Sequence, residues 1–144
     1  MIRVRTVLAG DAAQIAALIT LLGYPCTPEE ATERLRAVAG EHDQALLVAE
    51  NDGELCGLLG LDLMYYLPLG ARTCRITALV VATAYQGEGV GRELLQAAEK
   101  WARQAGAARI EVTSAAHRNE AHAFYRACGY RDGSMRFVKL LGDA

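Results

Sequence analysis

The sequence predicts an α/β protein, a mixed sheet with helices on both faces. Two observations carry this. Segments such as "IRVRTV", "QALLVAEN", "ELCGLLGLDLMYY" and "TCRITALVV" have the apolar content and alternation of strands, whereas "TPEEATERL" and "VGRELLQAAEKWA" repeat apolar residues at helical spacing. Ordered along the chain they read β-α-α-β-β-β-α-β-α-β. With no internal repeat, low-complexity stretch or linker, residues 1–144 are expected to form one domain.

Each element has a local reason. After "IRVRTV", Asp11 is placed to cap a helix whose inner face is Ile15, Leu18, Ile19 and Leu22. Thr27, Pro28 and Glu30 form a capping-box signature for the next helix, which presents Leu35 and Val38 inward. Asp52-Gly53 is a hairpin turn between two strands, and "LPLGAR" is a loop before the next. Val90, Leu94, Ala98, Trp101 and Ala105 form one face of the longest helix, which Gly106 stops. "ARIEVTS" is a strand, "NEAHAFYRAC" a short helix ended by Gly129, and "YRDGSMRFVKLL" one or two closing strands.

Composition narrows the classes. Hydrophobic residues make up 52% and charged residues 22% of the 144, which suits a globular domain. A net charge of -2 gives no reason to expect nucleic-acid or membrane partners. No apolar run approaches the roughly 20 residues of a membrane span, and Asp11 falls too early for a secretory signal, so a cytoplasmic location is expected. Cys26, Cys56, Cys74 and Cys128 are dispersed, without a CxxC pair, and read as reduced thiols; no metal site is expected.

Between "TALVV" and the long helix lie Gly87, Gly89 and Gly91. Free amides and the dipole at a helix start attract anions, and glycines let them approach the backbone. Residues Gln86, Gly87, Glu88, Gly89, Val90, Gly91 and Arg92 therefore form either a phosphate cradle or only a tight strand-to-helix connection. No Gly-Lys-Ser/Thr follows, so a nucleoside-triphosphatase loop is excluded. The spacing G-x-G-x-G and the short remaining chain also disfavour an NAD-binding oxidoreductase.

The stretch from "LVVATAYQGEGVGRELL" to "EAHAFYRACGY" resembles the GCN5-related N-acetyltransferase (GNAT) superfamily, small-molecule-acetylating type, over nearly the whole chain. Gln86, Gly89 and Gly91 match its Q/R-x-x-G-x-G/A loop, and Ala121, Tyr125, Gly129 and Tyr130 match its second signature. The resemblance implies a mostly antiparallel twisted sheet of six to seven strands and an acetyl-CoA-dependent transfer to a primary amine. It also implies that Leu79, Val80 and Val81 bind the pantetheine arm, with a backbone N–H near Val81 facing the thioester carbonyl. Residues 86–92 would hold the pyrophosphate, and Arg118, Asn119, Ala121, Phe124 and Tyr125 would complete the cofactor site. Tyr125 would protonate the departing thiolate. Arg118 stands where relatives carry Asn; it reads as a ligand for phosphate or an acidic substrate group, or as a loop arginine.

A second departure concerns the base. Relatives often use a fourth-strand carboxylate, but Ile76, Thr77, Ala78 and Leu79 offer none. Glu111 and His117 are the nearest candidates, with Asp62 weaker, and each also reads as an ordinary strand or loop residue. Tyr24, Tyr65 and Tyr66 are candidate walls for the acceptor. A small-molecule amine is the expected substrate. Relatives commonly dimerise through their last strands, so a homodimer is one expected assembly, although no residue here decides it. Two other readings stand beside the enzyme of small amines: a protein N-acetyltransferase, and a non-catalytic acyl-CoA-binding or regulatory module.

Overall fold

The computed structural model describes residues 1–113, 119–133 and 136–142. They form two compact units, residues 1–112 and the chain from Thr113 onward. The first unit contains β1 (Arg3–Thr6), α1 (Ala12–Leu22), α2 (Pro28–Val38), β2 (Gln44–Asn51), β3 (Glu54–Tyr66), β4 (Ala71–Val81), α3 (Val90–Gln104) and β5 (Arg109–Val112). The second contains α4 (Asn119–Ala127).

The sheet order is β1-β2-β3-β4-β5, antiparallel throughout except for the parallel pair β4–β5. The predicted Asp52-Gly53 turn is present: both residues have positive φ, 50° and 86°, which matches the twist of a tight hairpin. The capping box on α2 is also formed. Thr27 Oγ1 accepts from Glu30 N at 3.1 Å, and Glu30 Oε1 accepts from Thr27 N at 2.9 Å.

Asp11 plays a different part from the one expected. A 3-10 turn, Ala9–Asp11, precedes α1, and the Asp11 side chain makes no cap bond to that helix. Its carboxylate instead accepts Leu8 N at 2.8 Å and takes both terminal nitrogens of Arg5, at 2.8 and 3.0 Å. Arg5 also donates to Glu50 at 3.0 Å. The Arg5 guanidinium holds the Asp11 carboxyl below the usual range, against an opposing burial effect, with the Leu8 amide assisting. Asp11 is therefore a lock between β1 and the start of α1.

Helices cover both faces of this sheet. On one face, Ile15, Ala16 and Leu18 of α1 and Ala31 of α2 pack with Val48, Leu58 and Val80. On the other lies α3: a Cβ on Gly57 would meet Leu94 Cδ1 at 2.8 Å and Val90 Cγ1 at 3.0 Å, so only glycine admits the helix this closely. The inner face of α3 is rotated from the expected one. Leu95 and Ala102 are buried beside Val90, Leu94 and Ala98, while Trp101 and Ala105 are half-buried.

The described sheet has five strands rather than six or seven. Residues 131–133 and 136–142 are assigned neither helix nor strand. Phe137, Val138, Leu140 and Leu141 are exposed. Among the described residues no helix is long and apolar enough to cross a membrane.

Candidate active site

Among the described residues, strands β4 and β5 pair from Thr73–Arg109 to Ile76–Val112. Immediately beyond, β4 carries a bulge: Leu61 faces Ile76 and Gly60 faces Ala78, which leaves Thr77 as an extra residue. A bulge bends its strand and breaks the regular ladder. The bend is accommodated by Gly60, since a Cβ there would lie 2.6 Å from Thr77 Oγ1. From Ala78 to Val81, β4 pairs with β3 on one side and with no described strand on the other.

The direction of the free groups on that edge follows from one bond. Ala82 N donates to Cys56 O of β3 at 2.8 Å. Across a trans peptide the preceding C=O points the opposite way, so Val81 C=O faces away from β3. Within a strand, one residue's N–H and C=O share a side and alternate along the chain. Val81 and Leu79 thus direct their N–H and C=O to the open edge, whereas Val80 turns its own toward Leu58, its partner on β3. Of the three β4 residues expected at the cofactor, Leu79 and Val81 present backbone groups and Val80 presents a side chain to the core. Gln86 Nε2 donates to Val81 O at 3.2 Å, tying the glycine loop back to this edge.

The loop then enters α3. Gly87 and Gly89 have φ of 81° and 84°, and nothing lies within 4 Å of where their Cβ atoms would be. Gly89 is the N-cap, with no side-chain cap bond, and the first helical bond runs from Glu93 N to Gly89 O at 3.0 Å. The amides of the preceding first turn therefore have no acceptor within the helix. Gln86, Glu88 and Arg92 are exposed and Gly91 half-buried around this cradle, and Val90 is buried, anchoring the helix to the sheet. An open strand edge leading to unfilled amides at a dipole's positive end fits an extended carrier with an anionic terminus.

Glu111 is not a free carboxylate. Arg75 Nε donates to its Oε1 at 3.0 Å, and Arg109 lies 3.6 Å from its Oε2. Asp62 occupies the position across from Arg75 on β3 and makes no ion pair among the described residues. Tyr65 and Tyr66 point to opposite faces of β3 by alternation. Tyr66 carries the Arg109 guanidinium 4.8 Å above its ring, and Tyr24 is 65% exposed after α1.

In the second unit, α4 places Ala121, Phe124 and Tyr125 as half-buried residues. Tyr125 lies between Phe124 and Tyr130, with ring centroids 5.5 and 6.0 Å away. Tyr130 N donates to Tyr125 O at 3.0 Å around Gly129, whose φ of 92° ends the helix. His117 and Arg118 lie outside the described residues, as does the side chain of Asn119. Sequence reasoning missed the Thr77 bulge and the Asp62–Arg75–Glu111 row; only the uneven polarity of "ITALVV" and "DLMYY" hinted at them.

The open β4 edge, the glycine loop and α4 all fall within a stretch that matches a family of transferases. The chain belongs to the Acetyltransferase (GNAT) family, whose family model matches residues 13–130. It is 36% identical over 94 residues to the aminoalkylphosphonate N-acetyltransferase of Salmonella typhimurium, a match covering 65% of this chain and 61% of that protein. It is 30% identical over 132 residues to an aminoglycoside N(6')-acetyltransferase type 1 of Stenotrophomonas maltophilia, covering 90% and 86%. The fold is similar to that of aminoglycoside N-acetyltransferase AAC(6')-Iy in complex with CoA, with a TM-score of 0.86, 14% identity and coverage of 98% and 95%.

Proposed function

We propose that the protein is an acetyl-CoA-dependent N-acetyltransferase of small primary amines, with residues 1–144 acting as one catalytic domain. The observation that carries this reading is the β4 edge at Leu79 and Val81, which no described strand pairs, continuous with the amide cradle at residues 87–92. Those groups fit the extended arm and the diphosphate of acetyl-CoA. When bound, acetyl-CoA supplies an acetyl thioester activated toward amines. The outward N–H of Val81 or Leu79 is placed to stabilise negative charge developing on the thioester oxygen. Tyr125 donates the proton that neutralises the departing thiolate.

The acceptor must arrive as a neutral amine. Freeing a lysine-like amine of its proton at neutral pH costs about 4–5 kcal/mol. With both Glu111 oxygens near guanidiniums, that carboxylate serves to orient arginines, and Asp62 is the better-placed group to take the proton. The names of both relatives quoted above support a small amine as acceptor.

A second reading, a non-catalytic acyl-CoA-binding module, is favoured by the lack of a carboxylate between Arg75 and Val81 of β4. Calorimetry with acetyl-CoA, combined with an amine screen for free-thiol release, separates the two. Binding with thiol release supports the enzyme; binding without release for every small or peptidyl amine supports the module; no binding removes both.

A further inference from the structure

The face of the sheet that α1 and α2 leave uncovered has a composition of its own. Leu58 packs beneath α1, so Gly60, Asp62, Met64 and Tyr66 continue along the same face of β3. Cross-strand partners share a face: Met64 with Thr73 and Arg109, and Asp62 with Arg75 and Glu111. Beyond Gly60 that face changes from apolar to charged, although the reverse face stays apolar with Leu61, Leu63, Cys74 and Ile76 all buried. The charged rows adjoin the point where β4 and β5 part.

From this placement, and resting on the reading of the chain as an amine acetyltransferase, we infer that the acceptor is a zwitterion. Asp62 receives its amino group, and Arg109, with Arg75 beside it, receives an oxyanion at its other end.

Arg109 is held but not saturated. Its Nε donates to Thr73 Oγ1 at 3.3 Å, its Cζ lies 4.8 Å from the Tyr66 ring centroid, and its approach to Glu111 is 3.6 Å, while 44% of the side chain remains exposed. A guanidinium has five N–H donors in a planar fork suited to carboxylate or phosphonate oxygens. One carboxylate, Glu111, is shared between two arginines, and its tighter contact is with Arg75. That leaves the terminal nitrogens of Arg109 without a hydrogen bond among the described residues.

Asp62 is the complement. It is half-buried and unpaired among the described residues, and its charge contributes, after burial, to pushing the Cys74 thiol up to about 11. It lies one row nearer the Thr77 bulge than Arg109 does. An acceptor spanning the two would therefore direct its amine toward the split edge and its anion away from it. Two strand spacings separate β3 from β5, roughly 10 Å between backbones, which leaves space for a short aliphatic zwitterion once both side chains lean inward.

The test titrates the CoA-loaded protein calorimetrically with β-alanine, 2-aminoethylphosphonate, propylamine and an aminoglycoside, and separately measures acetylation of each. The expected result is at least tenfold tighter binding of one or both anionic amines than of propylamine. Arg109→Gln should remove that preference and Arg109→Lys should retain part of it; Asp62→Asn should weaken all amines together. If β-alanine and its phosphonate counterpart differ, the tighter one identifies the oxyanion. Equal or weaker binding of the anionic amines, preference for the polycation, or an unchanged preference in Arg109→Gln would overturn the inference. Because binding is read without turnover, a zwitterion that binds but is never acetylated would count against the enzymatic reading alone.

Discussion

Gly89 stands where the chain leaves an extended loop for a helix, in the left-handed region that only glycine enters without strain. Gly89→Ala should cost about 1–2 kcal/mol of local backbone energy, which the cradle can relieve by losing its shape. Calorimetry should show acetyl-CoA affinity at least tenfold weaker. Tyr125→Phe should behave in the opposite manner, lowering turnover by tenfold or more with acetyl-CoA affinity nearly unchanged; an unchanged rate would remove the hydroxyl from the reaction. Asp11 tests stability instead. Its folded pKa is depressed, so its contribution is complete above the unfolded value of about 4 and is lost as pH falls through the lower folded value. Asp11→Asn should cost about 1.5–3 kcal/mol at neutral pH and flatten the acid limb of a denaturation series below about pH 4.

At the scale of elements, α2 is the one whose start depends most visibly on local chemistry. Ala31 is its one fully buried side chain, and the reciprocal bonds of Thr27 and Glu30 define its first turn. Thr27→Ala should lower stability by about 1 kcal/mol, seen as a shift in urea midpoint with an unchanged slope. Such caps were legible in the sequence because their partners lie three residues apart. The glycine turn into α3 was legible for a related reason, its geometry being set by consecutive residues. The Asp11 lock was not, because Arg5 and Glu50, the groups that claim it, come from β1 and β2. The burial of Leu95 and Ala102 on α3 was equally hidden, because which helix residues touch the sheet depends on strands distant in sequence.

For the whole molecule, alternation revealed the strands through β5 but not how they would join. The β1–β2 pairing and the parallel β4–β5 pair depend on contacts between residues more than thirty positions apart. The charged face proposed for the acceptor was hidden because Asp62, Arg75 and Arg109 are neighbours only across the sheet. Global stability offers a check on the proposed ligand. At one hundred times its dissociation constant, acetyl-CoA should add about 2.7 kcal/mol, raising the melting temperature by about 9 °C for a chain of this size.

Thr77 bulges β4 next to the last described β4–β5 pair, Ile76–Val112, and this has a consequence for how the chain tolerates change. Removing that single residue would leave Ile76 and Ala78 as adjacent partners of Leu61 and Gly60, a flawless hairpin. The straightened strand could then zip onward against its parallel neighbour. A one-codon deletion should thus yield a protein that melts no lower than its parent yet gives no calorimetric signal with acetyl-CoA: a better sheet, closed to its cargo.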